Sequence, residues 1–317
     1  MSLSRIIGAG TFGFNYIVVT LVLIIIHHFF LKNKTMSNRR KFIQQTILGI
    51  SGTALLPVIG NANSSSVKSL SNTNAPLQIG MAGYSFTKFS LEQSIAMMKR
   101  IGLSNMSLKE IHLPLNSTDE QISAAMAKYK AAGINIYTVG VIYMKTKEAV
   151  DNTFAYAKKC GVNMIVGVPN YELIEYAEQK VKEYDIRLAI HNHGPEDALY
   201  PAPGDVYNRV KNLDARMGIC IDIGHSLRAG TLPEKAIRDF KDRLFDLHIK
   251  DINTAAKEGK GIEFGRGVIN FGAVIESLRK VKYTGVCSIE YEKDMTDPLP
   301  GIAESVGYFK GRMAAED

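Results

Sequence analysis

The sequence predicts an α/β chain folded as a (β/α)8 TIM barrel, preceded by an export signal and a polar linker. Three observations predict it. Eight strand-like apolar runs alternate with eight helix-like segments across about 240 residues, the usual size of a closed barrel. The first strand ends Met81-Ala-Gly-Tyr-Ser-Phe, without the Gly-rich loop that marks an open doubly wound sheet. Imidazoles and carboxylates also gather at the C-terminal ends of the strands, where barrels keep their chemistry.

Residues 1–62 are expected to lie outside the barrel. Ile17–Leu31 is an apolar run broken by Thr20 and the His27–His28 pair, marginal in length for a membrane span. From Met36 the chain reads as a second start. Arg39–Arg40, Phe42, a weakly apolar stretch and Gly60-Asn-Ala62 resemble a twin-arginine export signal, with Asn38 where Ser or Thr is usual. Residues 1–35 are then an upstream extension or a membrane anchor, residues 36–62 the signal, and export to the periplasm is expected. Membrane contact is expected only through this segment. Residues 63–76, rich in Ser and Asn, read as a linker, and 77–317 as the barrel.

Within the barrel the expected strands are Gln78–Phe86, Asn105–Ile111, Asn135–Tyr143, Asn163–Val168, Arg187–His191, Met217–Ile223, Leu244–Lys250 and Val286–Tyr291. The expected helices are Leu91–Arg100, Asp119–Ala132, Lys147–Cys160, Tyr171–Tyr184, Asp205–Lys211, Pro233–Asp242, Phe271–Val281 and Ile302–Met313. Start signals such as Ser117-Thr-Asp-Glu and Thr231-Leu-Pro-Glu, and Gly102, Gly133 and Gly161 at helix ends, support them.

Charge and cysteines narrow the function. Of 38 basic and 31 acidic residues, six basic and no acidic ones fall in 1–62. Residues 63–317 therefore hold 32 against 31, a net charge of +1 out of the whole chain's +7. That balance excludes a footprint for a nucleic-acid backbone. Cys220 and Cys287 sit in apolar strand runs, Cys160 precedes Gly161 at a helix end, and none has metal-ligand spacing. All three read as structural.

The chain is organised around Met217–Ser226, M-G-I-C-I-D-I-G-H-S. Its apolar part suits a strand buried on both faces, and it delivers Asp222 and His225 at the strand end. Strand five ends Ala189-Ile-His191-Asn-His193, strand seven carries His248-Ile-Lys250-Asp251, and strand eight carries Glu290-Tyr-Glu292. In a barrel these strands are neighbours, and inward residues alternate. Asp222, His248, Glu290 and one imidazole of strand five, His191 or His193, then converge as a mixed N/O ligand set for Mn, Zn, Fe or Co.

The order of these motifs resembles the xylose isomerase-like barrel superfamily over about 77–312, a group with sugar phosphate isomerase/epimerases, inosose dehydratase and 3-keto-glycoside lyases. The resemblance implies cation ligation by Asp222, His248 and Glu290. The epimerases' strand-five Glu falls at His191, which removes one of the two carboxylates that move protons there and favours the His-x-His pattern of the dehydratases and lyases. The endonuclease branch of the superfamily conflicts with the +1 charge.

The expected function is a divalent-metal-dependent isomerase, epimerase or lyase. It acts on a small keto-sugar or 3-keto-glycoside by proton abstraction α to a carbonyl. Glu290 or His193 moves the proton, while His225 and Lys250 hold substrate oxygens. Lys109 or His112, at the end of strand two, assists the leaving group; the alternative for Lys109 is a supporting pair with a carboxylate. Arg266, in a Gly-flanked loop, closes over the ligand, or that loop is a plain turn. Glu292 shares the parity of Glu290; the alternative is a rim residue. With no Trp in the chain, Tyr84, Phe86, Tyr143 and Tyr291 are the candidate sugar-stacking rings. The alternatives are a non-catalytic sugar-binding barrel and a hydrolase using metal-bound water. The oligomeric state is left open.

Overall fold

The computed structural model describes residues 77–315; the export signal, the anchor and the linker expected before residue 77 lie outside the described residues. The expected barrel is observed. Strands β1 (Gln78–Ala82), β2 (Asn105–Leu108), β3 (Asn135–Met144), β4 (Met164–Pro169), β5 (Arg187–His191), β6 (Met217–Asp222) and β7 (Leu244–Ile249) run in chain order around it. The eighth barrel strand, β10 (Val286–Ile289), closes it between β7 and β1, and every neighbouring pair is parallel. Two short strands after β7, β8 (Asp251–Ile252) and β9 (Gly261–Ile262), form a separate antiparallel ribbon.

The barrel strands are apolar because both faces are covered, by the packed interior and by the helices outside. β4 and β6 are buried at every position. The helices are α1 (Leu91–Ile101), α2 (Asp119–Ala131), α3 (Lys147–Cys160), α4 (Ile174–Tyr184), α5 (Pro203–Val210), α6 (Ile223–Arg228), α7 (Pro233–Asp239), α8 (Phe271–Lys280) and α9 (Leu299–Ala315). Ser90 and Thr118 open α1 and α2 through capping boxes, each side chain accepting the third backbone N–H of its helix.

Several boundaries differ from expectation, and three of them have a clear local reason. β1 stops at Ala82 because Gly83–Phe86 is a 3-10 turn. β6 stops at Asp222 because that side chain caps α6, a helix absent from the expected elements. α5 starts at Pro203, where proline's fixed φ suits the first turn and Asp205 accepts the N–H of Ala202 at 3.0 Å. Among the described residues no helix is long and apolar enough to cross a membrane. The three cysteines are buried and unpaired.

Candidate active site

β5, β6, β7 and β10 deliver their inward side chains to one point. Asp222 stands opposite His248 in register, His248 stands opposite Ser288, and Glu290 follows two residues on. His191 Nε2 lies 3.0 Å from His248 Nδ1 and 3.7 Å from Asp222 Oδ2, and His248 Nδ1 lies 3.4 Å from Glu290 Oε2. One ligand atom from each of these four buried residues lies within 4.8 Å of the other three.

Local structure aims Asp222. Its Oδ1 accepts the His225 N–H at 2.8 Å as the N-cap of α6. Asn192, between His191 and His193, accepts the Asp222 N–H at 3.0 Å and so ties the two strand ends together. Oδ2 is left pointing inward, buried and without a hydrogen-bond partner. Such an oxygen costs about 1–3 kcal/mol or more when nothing donates to it. The two imidazole nitrogens facing each other at 3.0 Å have room for one proton between them. Two imidazole nitrogens and two carboxylate oxygens, one of them orphaned, fit a divalent cation of the Mn, Fe, Co or Zn type.

Lys250 lies beside this set, 4% exposed. Its Nζ donates to Glu292 Oε1 at 2.8 Å and makes ion pairs with Glu290 Oε2 at 2.8 Å and Asp222 Oδ2 at 3.1 Å. Burial pushes the carboxyls of Asp222 and Glu290 up, but the Lys250 ammonium and the neighbouring imidazoles together outweigh it and both are held below the usual range. Burial pulls Lys250 down, and the three carboxylates more than offset this. His248 behaves likewise: burial lowers it, but Glu290, Asp246 and Asp222 hold it above its ordinary value.

His225 faces a donor on each side, Arg228 Nη1 at 3.1 Å from Nδ1 and Lys250 Nζ at 3.4 Å from Nε2. A guanidinium and an ammonium only donate, so the neutral ring can accept from one of them alone, and the shorter contact, Arg228 to Nδ1, is the better placed. Burial, then the Lys250 charge, lowers His225 to about 3. Burial, with His191 and His225 nearby, lowers His193 to about 2. Both rings are neutral at physiological pH.

A cavity of about 260 Å³ opens above the cluster, lined by Tyr84, Lys109, Val141, Tyr143, His191, His193, His225, Glu290 and Glu292. It is at the small end for ligand pockets, suited to one sugar ring. A larger cavity of about 320 Å³ at the opposite end of the barrel is lined by Arg187, Lys241 and Lys282 among others, with no carboxylate or imidazole in its wall. That end of a barrel serves stability.

The structure therefore brings together His191, Asp222, His248 and Glu290, and sets His193, His225 and Lys109 in the cavity wall. Lys109 Nζ also donates to the Val141 carbonyl at 2.5 Å and pairs with Glu110 at 2.8 Å, so it is both wall and supporting ion pair. Lys250 is beneath the wall rather than in it. Two expected residues stay away. His112 is buried with Nε2 3.0 Å from the Phe86 carbonyl, outside the cavity wall. Arg266 lies on the outer surface, its Nε and Nη2 on Glu304 of α9 at 2.5 and 2.8 Å, and closes over nothing. Of the four rings, Tyr84 and Tyr143 line the cavity, Phe86 is core, and buried Tyr291 donates to Glu263 at 3.0 Å.

Three residues escaped the sequence pattern. Cys220, read as structural from linear spacing, forms a buried group with His191 and His248 whose ligand atoms lie within 4.8 Å of one another; the three come from different strands, so no spacing shows it. Asp197 stands 3.5 Å from His193 Nδ1. Asp251 is fully buried and accepts the N–H groups of Ile252, Gly265, Gly267 and Ile269 at 2.9–3.1 Å.

Comparison with known proteins agrees with the fold. The profile of the xylose isomerase-like TIM barrel family matches residues 95–312. An uncharacterised protein of Methanocaldococcus jannaschii is 32% identical over 135 residues, 40% of this chain and 43% of that protein. The rhizopine catabolism protein MocC of Rhizobium meliloti is 28% identical over 160 residues, 45% of this chain and 48% of that protein. The chain thus spans about half the length of the curated relatives it matches. The structure of the 3-keto-D-glucoside 4-epimerase of E. coli superposes with a TM-score of 0.61 at 16% identity, over 74% of this chain and all of that one, a likeness of fold.

Proposed function

Because the chain belongs to the xylose isomerase-like TIM barrel family, we propose that it is a divalent-cation-dependent isomerase, epimerase or carbon–oxygen lyase acting on a small keto-sugar or 3-keto-glycoside. The observation that carries this reading is the four-residue set His191, Asp222, His248 and Glu290 at the floor of a cavity sized for one sugar ring. The names of two similar proteins, a rhizopine catabolism protein and a 3-keto-glucoside epimerase, support the substrate class. A bound cation supplies Lewis acidity at a substrate carbonyl.

The chain's own residues do the rest. Glu290, ionised and in the cavity wall, accepts a proton from the carbon α to that carbonyl. Neutral His225, in the cavity wall, hydrogen-bonds a sugar oxygen. His193 holds a proton relay with Tyr143, whose Oη lies 3.0 Å from its Nε2. Returning the proton to carbon gives isomerisation or epimerisation; delivering one to a β-oxygen as its bond to carbon breaks gives elimination. The Arg39–Arg40 segment supports export to the periplasm, where 3-keto-glycosides are better candidates than phosphosugars.

A second reading, a sugar-binding barrel without turnover, draws on Lys250, whose ammonium already sits among the carboxylates. Proton exchange separates the two. The full chain is incubated with keto-sugars and 3-keto-glycosides in D2O with Mn2+, Zn2+ or Co2+, and deuterium at the α-carbon is read by NMR. Incorporation that disappears in Glu290→Gln is the expected result. Sugar binding with no incorporation would sink the enzyme assignment, and full incorporation in Glu290→Gln would sink Glu290 as its base.

A further inference from the structure

Two of the four cation-ligand candidates have a second claimant. Lys250 Nζ lies 2.8 Å from Glu290 Oε2 and 3.1 Å from Asp222 Oδ2, the same oxygens that face the imidazoles of His248 and His191. An ammonium and a divalent cation cannot both be served by the same two oxygens at close range, because like charges a few ångströms apart inside a barrel repel strongly.

The contacts of Lys250 are unequal. Its bond to Glu292 Oε1, at 2.8 Å, has hydrogen-bond geometry. Its approach to Asp222 Oδ2 does not, and that oxygen remains without a hydrogen-bond partner although an ammonium stands 3.1 Å away. The lysine therefore neutralises Asp222 without satisfying it. Charge points the same way: Asp222, Glu290 and Glu292 are three carboxylates around one ammonium. A divalent cation at the first two would leave Lys250 and Glu292 as a matched pair.

The backbone makes room for this lysine. A Cβ on Gly224, in the first turn of α6, would stand 2.4 Å from Lys250 Cγ and 2.8 Å from its Cδ. The stem of Lys250 crosses the helix start where only glycine lets it pass, which holds the ammonium between the carboxylates of β6 and β10 and Glu292 beyond them.

We propose that Lys250 is a built-in counter-ion that competes with the divalent cation for Asp222 and Glu290, and that Glu292 is the partner it keeps when the cation takes them. The exchange sets the cation affinity and couples cation loading to release of the lysine toward the cavity wall, where Glu292 lies. This inference rests on the cation-dependent reading of the site.

The test is Mn2+ binding to the full chain by calorimetry and equilibrium dialysis, without substrate. Lys250→Met, which keeps the stem and removes the charge, is expected to bind Mn2+ at least tenfold more tightly than the parent. It should unfold at lower temperature without cation and recover with it. Should it be unstable without Mn2+, it is purified with Mn2+ and measured by dialysis against a chelator. Lys250→Arg keeps the competitor and is expected to gain no affinity. Glu292→Gln, which leaves the lysine only Asp222 and Glu290, is expected to bind about tenfold more weakly, and that loss should vanish in the Lys250→Met background, as competition requires and simple addition of charge effects does not. Equal affinity in the parent and Lys250→Met, or an undiminished Glu292→Gln loss in the double variant, overturns the competition and leaves the cation-dependent reading intact. No Mn2+, Zn2+ or Co2+ bound by any variant, Lys250→Met included, overturns both.

Discussion

Tyr143 Oη lies 3.0 Å from His193 Nε2, and the two rings stack with centroids 5.3 Å apart. Behind the imidazole, Asp197 Oδ2 faces Nδ1 at 3.5 Å, while Asp197 Oδ1 is pinned by the N–H groups of Leu199 and Tyr200 at 2.7 and 2.8 Å. A carboxylate near one imidazole nitrogen and a hydroxyl hydrogen-bonded to the other suit the holding and return of a hydroxyl proton. The carboxylate favours the proton on Nδ1, so Nε2 accepts from Tyr143, whose ring stands half-exposed in the cavity wall.

Removing that hydroxyl therefore separates proton handling from sugar stacking. Tyr143→Phe keeps the ring and is expected to lower kcat about 100-fold, the usual worth of one positioned acid–base group. KM should stay within about threefold and Mn2+ affinity should not change, since Tyr143 touches none of the four ligand candidates. Steady-state kinetics on the substrate found by deuterium exchange measure both constants. A raised KM with parental kcat would make Tyr143 a stacking platform and nothing more.

Asp251 organises the loop after β7 rather than the chemistry. Four backbone N–H groups from Ile252 to Ile269 converge on its buried carboxylate. A Cβ on Gly267 would stand 2.2 Å from Asp251 Oδ1, so the loop wraps the carboxylate with no space to spare. Asp251→Asn replaces one acceptor by an NH2 group facing N–H donors. The expected loss is about 3 kcal/mol, the scale of bonds to a charged acceptor plus an unpaired donor, read as a shifted urea midpoint. A midpoint unchanged from the parent would mean that β8 and β9 hold this loop by themselves.

The legible part of the molecule is the part that repeats. Runs such as Met217–Ile221 announce strands because burial on both faces leaves no polar positions, and the strand order follows from closing a barrel. Parity placed Asp222, His248 and Glu290 together, but could not separate His191 from His193. Their difference is set by β5 ending at His191, after which the backbone turns and the His193 N–H bonds the Tyr200 carbonyl at 3.0 Å. Arg266 misled because its loop motif is local while its partner Glu304 lies on α9, 38 residues on. Helix α6 was hidden for a related reason: one carboxylate, Asp222, both ends a strand and caps a helix.

One buried carboxyl outside the cavity wall acts on the site only through His248 and weighs on stability. Asp246 sits in the barrel interior below His248, with Tyr137 Oη 3.2 Å from each of its oxygens. Burial pushes its pKa from 3.8 up to about 6, against the pull of His248 and Tyr137. A carboxyl whose folded pKa is raised favours the fold below its unfolded value and loses that contribution as pH rises through the folded one. At pH 8 the protein therefore carries an ionised group in its interior, and at pH 4.5 that group is protonated. Asp246→Asn keeps the shape and can still accept from Tyr137. Its urea midpoint is expected to exceed the parent's at pH 8, by on the order of 2 kcal/mol for a shift of this size, and to converge on it at pH 4.5. A difference that stays constant between the two pH values would show that Asp246 does not titrate in this window, and that Tyr137 and the strands around it keep the carboxylate ionised at little cost.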